Sequence, residues 1–127
     1  MSKKKVVITG LGVLAPNGNN IHEFWKSLCL GKSGINAITY FDTEGFSVKI
    51  AGELEGFKAE EHLEPSQIRK LDPFSIFALV AAQEAITHAD INWNNINLHR
   101  VGVILGTGVG GIYTIEEQHS VLINRGP

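Results

Sequence analysis

Residues 101–111 read Val-Gly-Val-Ile-Leu-Gly-Thr-Gly-Val-Gly-Gly, an apolar run that leads directly into a glycine-rich turn. A short continuous apolar run of this kind is typical of a strand that helices cover on both faces of a parallel sheet. The same arrangement occurs near the start of the chain, where Val6-Val-Ile8 precedes Gly10-Leu-Gly12. The sequence therefore predicts two buried strands, at residues 6–8 and 101–105, each followed by a tight turn.

Helix signals occur between and after these strands. Asn20 with Glu23 three residues later is typical of a capping box, and apolar residues then recur at helical spacing until Gly31. Asp72 followed by Pro73 marks the start of a second helix. This helix is apolar on nearly all sides, so we expect it to be buried.

A third helix is predicted after the glycine turn at residues 106–111, and it ends before Gly126. Residues 46–54 alternate between apolar and polar, which indicates an exposed or edge strand. The order of elements predicts an α/β fold. Two core strands are fewer than a sheet commonly contains, so the chain is expected to be part of a larger domain.

Composition excludes several classes of protein. The formal net charge is −2 and 43% of the 127 residues are hydrophobic, as in a folded domain with no general attraction for nucleic acid or anionic membrane. The apolar segments are much shorter than the roughly 20 residues that span a bilayer. One cysteine cannot form an internal disulfide, and no secretion signal is visible, so we expect a cytoplasmic protein.

Both glycine turns fit the G-x-G-x-x-G pattern of a dinucleotide site, which requires a helix to begin at the turn. At residues 10–15 this requirement fails, because Pro16-Asn-Gly18 delays the helix to about Ile21. At residues 106–111 a helix does follow, but the sequence ends before a second strand and the acidic residue of such a site could be checked. We favour glycines that permit tight turns and close backbone packing, and nucleotide binding remains the alternative.

Other residue types give no chemical site. Cys29 falls in the last turn of its helix, where the helix dipole disfavours a thiolate, so a structural thiol is expected. Glu116 and His119 have the spacing of a carboxylate-bridged metal motif, but the further ligands that such a site needs are missing. No metal site and no catalytic residue is predicted in this chain.

Seven strings taken together carry a family resemblance. The strings are Val6-Val-Ile-Thr-Gly-Leu-Gly12, Gly31-Lys-Ser-Gly-Ile35, Phe41-Asp42, Lys49-Ile-Ala-Gly52, Arg69-Lys-Leu-Asp72 with Phe74, residues 102–111, and Glu116-Glu-Gln-His119 through Arg125-Gly-Pro127. In order and spacing they resemble a β-ketoacyl-acyl-carrier-protein synthase, closest to the type II condensing enzymes of fatty acid synthesis, over about the first third of such an enzyme.

The resemblance implies a fold and three functional residues. Residues 1–127 would be the N-terminal segment of the first half of a thiolase-like layered fold, which is an α/β architecture, with the catalytic remainder outside this sequence. Val109, in the glycine turn, would shape the floor of the acyl-chain pocket. Arg69 and Lys70 would belong to a basic patch that receives the acidic acyl carrier protein. Ser66 departs from relatives that carry a lysine there, which would weaken docking.

The resemblance also implies a reaction, the decarboxylating Claisen condensation of acyl and malonyl thioesters by a homodimeric acyltransferase without a cofactor. Its nucleophilic cysteine and two histidines would lie beyond residue 127. The 127-residue chain alone is therefore expected to be inactive. Two alternatives stay open: a catalytically silent partner subunit of a ketosynthase, and a fragment of a nucleotide-binding oxidoreductase.

Overall fold

The structure is a computed structural model that describes residues 3–127. It divides into two compact units along the chain. The first unit contains Met1–Phe57, of which residues 3–57 are described, together with Ala81–Ile91. The second contains Lys58–Val80 and Asn92–Pro127. One long helix contributes its first half to the second unit and its second half to the first.

The first helix, α1, spans Ile21–Cys29 and confirms Asn20 as its cap, although Glu23 bonds the amide of Asn19 and not that of Asn20 as in a capping box. The Asn20 side chain accepts a hydrogen bond from the Glu23 amide, and the Glu23 carboxylate accepts one from the amide of Asn19. Together they satisfy amide groups that have no partner inside the helix. The chain then turns at Gly31, whose φ of +64° is readily available only to glycine.

A two-stranded antiparallel sheet follows in the same unit. Strand β1 is Ile35–Ala37 and strand β2 is Ile50–Gly52, with Asn36 opposite Ala51. The alternating stretch at residues 46–54 therefore contains a strand, as predicted. Its partner β1 was not predicted, because three residues are too few to show a period.

The second unit begins with a turn of 3₁₀ helix, Ala59–Glu61, and a four-residue helix, α2, at Pro65–Ile68. The long helix α3 spans Pro73–His88, so its predicted start is confirmed. Of the apolar side chains described, only Ile76 and Val80 are buried. The prediction that α3 is buried is thus confirmed only for one side of the first half of the helix.

The polar loop after α3 contains two short 3₁₀ turns, Trp93–Asn95 and Leu98–Arg100. The side chains of Asn92 and Asn97 cap them by accepting hydrogen bonds from the amides two residues later. The last helix, α4, spans Ile112–Arg125 and ends at Gly126, as predicted. The second unit is therefore helical throughout its regular structure.

The two predicted core strands are wrong for this chain. Neither residues 6–8 nor residues 101–105 form a strand in the described structure, and Val6 and Ile104 are 95% and 97% exposed. A strand requires a neighbouring strand to accept and donate its backbone hydrogen bonds. No described segment pairs with either run, so two sequences suited to the centre of a sheet lie open to solvent.

Candidate functional site

The glycine turn at residues 106–111 has a defined geometry at its second half. The Thr107 hydroxyl accepts a hydrogen bond of 3.0 Å from the Gly110 amide, and Gly110 has a φ of +76°. A side chain at this position would be strained, so the turn requires glycine there. Val109 lies at the tip of the turn with 70% of its surface exposed. The tight turn predicted from the sequence is confirmed at Gly110, whereas Gly106 and Gly108 have open space around them.

The Asp72 carboxylate binds the first turn of α4. Its Oδ2 accepts hydrogen bonds from the amide of Thr114 at 2.8 Å and from the Thr114 hydroxyl at 2.7 Å. Thr114 is the third residue of α4, so its amide has no partner within the helix. A phosphate of a bound dinucleotide would need these same amides. The helix end therefore already holds a carboxylate, which weighs against the nucleotide alternative.

Asp72 also begins α3, since its Oδ1 accepts a long hydrogen bond of 3.4 Å from the Phe74 amide. The hydrogen bond from the Thr114 hydroxyl is the main cause that lowers the pKa of Asp72 below its usual 3.8. Partial desolvation raises this pKa, and the hydrogen bonds from the amides of Thr114 and Phe74 lower it. Hydrogen bonds that favour the charged carboxylate have this effect. One carboxylate thus holds the starts of two helices.

Acid is expected to weaken this link. Because the pKa of Asp72 is lower in the folded state than in the unfolded state, its contribution to stability is complete above the unfolded pKa and is lost as the pH falls through the folded pKa. The thermal midpoint should therefore begin to fall as the pH drops below about 5 and should continue to fall below the usual pKa of 3.8. Thr114→Val removes the hydroxyl donor, so thermal melts over this range should show a smaller fall for the variant. An identical fall in both proteins would contradict the assignment.

The predicted docking residues lie at the end of α2. The Glu64 amide donates to Gln67 Oε1 at 3.2 Å and Pro65 occupies the first position, so the short helix has a defined start. Arg69 and Lys70 follow it directly, and both are exposed. The ion pair found within residues 3–127 joins Lys58 to Glu61. Neither Arg69 nor Lys70 is therefore paired with a carboxylate in this part of the chain. Two adjacent free positive charges are thus presented to solvent.

The first glycine turn serves packing, in agreement with the favoured interpretation. A Cβ atom at Gly10 would collide with the carbonyl oxygen of Ala85, and one at Gly12 with that of Ala81. The backbone of α3 therefore occupies the space that a pyrophosphate would need. The helix after this turn begins only at Ile21, which again weighs against a nucleotide site.

Glu84 holds the segment after the first glycine turn against α3, and this role was not predicted from the sequence. Its two carboxylate oxygens each accept a hydrogen bond of 2.8 Å, one from the Val13 amide and the other from the Ile21 amide. The signal was present, because Glu84 is the one carboxylate in the apolar helix Pro73–His88. A partly buried carboxylate in such a helix requires hydrogen-bond donors.

The remaining candidates are not brought together. Cys29 is exposed at the end of α1, and Glu116 and His119 are exposed on α4. No group of three or more metal-ligating side chains occurs within the described part of the chain. None of the helices in residues 3–127 has both the length and the apolar character needed to cross a membrane.

An open cleft in the first unit has a volume of about 430 Å³. Polar and charged side chains line most of it, among them Asn17, Lys26, Ser27, Lys32 and Ser33. An acyl chain requires an apolar surface. The lining of this cleft therefore gives no support for an acyl pocket here.

A family model described as "Beta-ketoacyl synthase, N-terminal domain" matches residues 3–126. The chain belongs to the beta-ketoacyl synthase family. The resemblance drawn from the seven strings is thereby confirmed. The functional residues that it implied, Val109, Arg69 and Lys70, stay predictions.

Three curated relatives of this beta-ketoacyl synthase chain share the description 3-oxoacyl-[acyl-carrier-protein] synthase 2. The protein of Staphylococcus aureus strain N315 is 43% identical over 124 residues, which cover 98% of this chain and 30% of the relative. The Vibrio cholerae protein is 41% identical over 127 residues, and that of Synechocystis 38% over 127 residues, covering 31% and 30% of their lengths. The chain therefore spans about 30% of the length of the curated relatives that it matches.

Solved structures show the same fold relationship. The ishigamide ketosynthase/chain length factor matches with a TM-score of 0.78 and 26% identity, over 94% of this chain and 30% of that one. A type II PKS ketosynthase in complex with its acyl-carrier protein matches with a TM-score of 0.72 and 24% identity, over 94% of this chain and 32% of that one. The described residues therefore share the fold of the matching parts of these two structures.

Proposed function

We propose that residues 1–127 form the N-terminal segment of a 3-oxoacyl-acyl-carrier-protein synthase that elongates fatty acids. The observation that carries this proposal is the family match across residues 3–126, together with relatives of one description at 38% to 43% identity. The whole protein would be a cytoplasmic homodimeric acyltransferase that uses acyl and malonyl thioesters of acyl carrier protein.

The fold proposed for the whole protein is thiolase-like and layered, with this chain in its first half. The two exposed apolar runs support this proposal. Residues 6–8 and 101–105 have the composition of central strands, and they would find their neighbours and covering helices in the remainder of such a domain.

The reaction would form one carbon–carbon bond and would release one carboxylate as carbon dioxide. An acyl group would pass from its carrier thioester to a cysteine thiol of the enzyme and free the carrier thiol. Malonyl thioester would lose carbon dioxide, and the resulting enolate would attack the acyl-enzyme, giving a 3-oxoacyl thioester and the free cysteine. Cys29 is not suited to this role, because it ends a helix, whereas a helix N-terminus lowers the pKa of a thiol.

The residues of this chain would bind substrate and carrier. Val109, at the tip of the glycine turn, would line the acyl pocket, since its aliphatic side chain lies on a backbone fixed by Thr107 and Gly110. Arg69 and Lys70 would attract the acidic carrier protein, because both charges are exposed and lack an ion-pair partner in the described residues.

A chimera tests these assignments. In it, residues 3–126 replace the matching segment of the Staphylococcus aureus relative, and condensation is measured with carrier-bound substrates. The chimera should condense them, and Arg69→Glu or Lys70→Glu should lower kcat/KM for the carrier-bound substrate about tenfold through lost steering.

The control is Lys49→Glu, which reverses an exposed charge in the other unit. This variant should keep the kcat/KM of the parent chimera. With acyl-pantetheine thioesters, which lack the carrier protein, all the variants should be equal. If all the variants also had equal rates with carrier-bound substrate, the docking assignment would be refuted. A folded chimera without turnover would refute the proposed function.

A second candidate is a catalytically silent partner subunit, favoured by the similarity to a ketosynthase/chain length factor. Such a subunit would shape the acyl pocket without forming an acyl-enzyme. The natural protein that contains this chain should then show no acyl group by intact-mass measurement after exposure to acyl thioester. An acylated cysteine would eliminate this candidate.

A further inference from the structure

The docking residues and the glycine turn are connected through Asp72. Lys70 and Leu71 donate backbone hydrogen bonds to the carbonyls of Gln67 and Ile68, so the segment after α2 is a continuous turn. The Asp72 carbonyl then accepts from the amides of Ser75 and Ile76 in the first turn of α3. No flexible linker separates Arg69 and Lys70 from the Asp72 carboxylate.

From Asp72 the connection reaches the glycine turn by two routes. The first is the pair of hydrogen bonds from the amide and hydroxyl of Thr114, at 2.8 and 2.7 Å. The second is packing, since a Cβ atom at Gly111 would lie 3.3 Å from Asp72 Oδ2. Gly111 immediately precedes α4, so the carboxylate fixes both the helix start and the end of the turn.

Val109 is two residues from Gly111 and lies within the same hydrogen-bonded turn. The hydrogen bond from the Gly110 amide to the Thr107 hydroxyl closes the turn around Val109, and the Ile112 amide donates to the Gly110 carbonyl at 2.9 Å. The turn that contains Val109 is therefore joined directly to the start of α4. The Asp72 carboxylate is charged at neutral pH, and a charged acceptor forms the stronger hydrogen bonds.

We propose that Asp72 is a positioning residue that links the carrier-docking segment to the glycine turn, so that its hydrogen bonds to Thr114 set the acyl-chain selectivity of the pocket at Val109. This inference rests on the proposed function and adds to it the residue that controls the pocket. Asp72 touches neither substrate nor reacting atoms. It acts through Thr114 and Gly111.

The test uses the chimera with Asp72→Asn, Thr114→Val and the double variant, and measures kcat/KM for a short and a long acyl-carrier thioester. Asp72→Asn removes the charge, and Thr114→Val removes the hydroxyl. Each single variant should shift the ratio of the two kcat/KM values in the same direction by about tenfold. The double variant should shift it by less than the sum of the two single shifts, because both changes act on the hydrogen bond between the Thr114 hydroxyl and the Asp72 side chain. Thr114→Ser keeps the hydroxyl and should retain the parent ratio.

Amide hydrogen exchange supplies a second measurement that does not depend on activity. The Thr114 and Gly110 amides should exchange about tenfold faster in Asp72→Asn than in the parent. The matched control is Thr39→Val, which breaks an equivalent 2.7 Å hydrogen bond from a threonine hydroxyl to Glu53 in the other unit. It should leave these two amides unchanged.

The outcomes separate the two proposals. If the parent chimera condenses thioesters and the variants lose activity equally for both chain lengths, Asp72 has a structural role only and the inference is wrong. The same conclusion follows if the shifts of the single variants add in the double variant, or if the exchange of the two amides does not change. If the parent chimera folds but does not condense, the proposed function fails and the inference fails with it.

Discussion

Gly12→Ala is expected to lower the free energy of unfolding of the 127-residue chain by about 3 kcal/mol. The added methyl group would collide with the carbonyl oxygen of Ala81 and lie 2.7 Å from the backbone nitrogen of Ala85. Both atoms belong to the backbone of α3, which cannot move aside as a side chain could. Residues 10–20 would have to shift, and the two hydrogen bonds to Glu84 would be strained.

Urea denaturation measures this effect, with Gly102→Ala as the matched control. Gly102 also lies beside an apolar run, but its Cβ position has no atom within 4 Å and its φ is not positive. The control should therefore stay within about 0.5 kcal/mol of the parent. Equal losses in the two variants would show that close packing on α3 is not the reason for glycine at position 12.

Helix bounds could be predicted because their signals are local. The Asn20 cap, the Asp72-Pro73 start and the glycines at positions 31 and 126 lie within a few residues of the helix ends that they define. The structure places α1, α3 and α4 where these residues indicate. A capping interaction depends on neighbours in the sequence, so no knowledge of the rest of the fold is needed.

The pairing of the two apolar runs, residues 6–8 and 101–105, could not be predicted in the same way. Residues 101–105 have the composition of a central strand, but pairing depends on a neighbour that the apolar run itself does not specify. In the described structure no neighbour is present, and Ile104 is almost fully exposed. The composition of residues 101–105 thus indicates that they are suited to a buried strand, whereas the described structure leaves them exposed and unpaired.

The links between distant residues were also beyond sequence reasoning. Asp72 and Thr114 are 42 residues apart, and Glu84 is 71 residues from Val13. Asp72 was recognised as the start of α3, but its second role at α4 depends on how the chain folds back. The resemblance implied Val109, Arg69 and Lys70 for the functional site, and the structure adds the carboxylate between them.

The central claim is that this chain supplies the carrier-docking and acyl-pocket residues of a condensing enzyme, whereas the reactive thiol belongs to another part of the protein. Cys29 is the single cysteine of the chain, so Cys29→Ser removes every thiol that these residues offer. The loss of an enzyme's nucleophile abolishes turnover, with effects of about a millionfold. Cys29→Ser should therefore abolish turnover if Cys29 is the nucleophile, and should leave turnover unchanged if the nucleophile lies elsewhere in the protein.

The decisive measurement combines intact mass and condensation rate for the chimera and its Cys29→Ser variant after exposure to an acyl-carrier thioester. We expect both proteins to gain one acyl group, on a cysteine of the Staphylococcus aureus segment, and to condense malonyl thioester at equal rates. The 127-residue chain alone should form no condensation product. Loss of acylation and turnover in Cys29→Ser, or turnover by the 127-residue chain, would contradict the account.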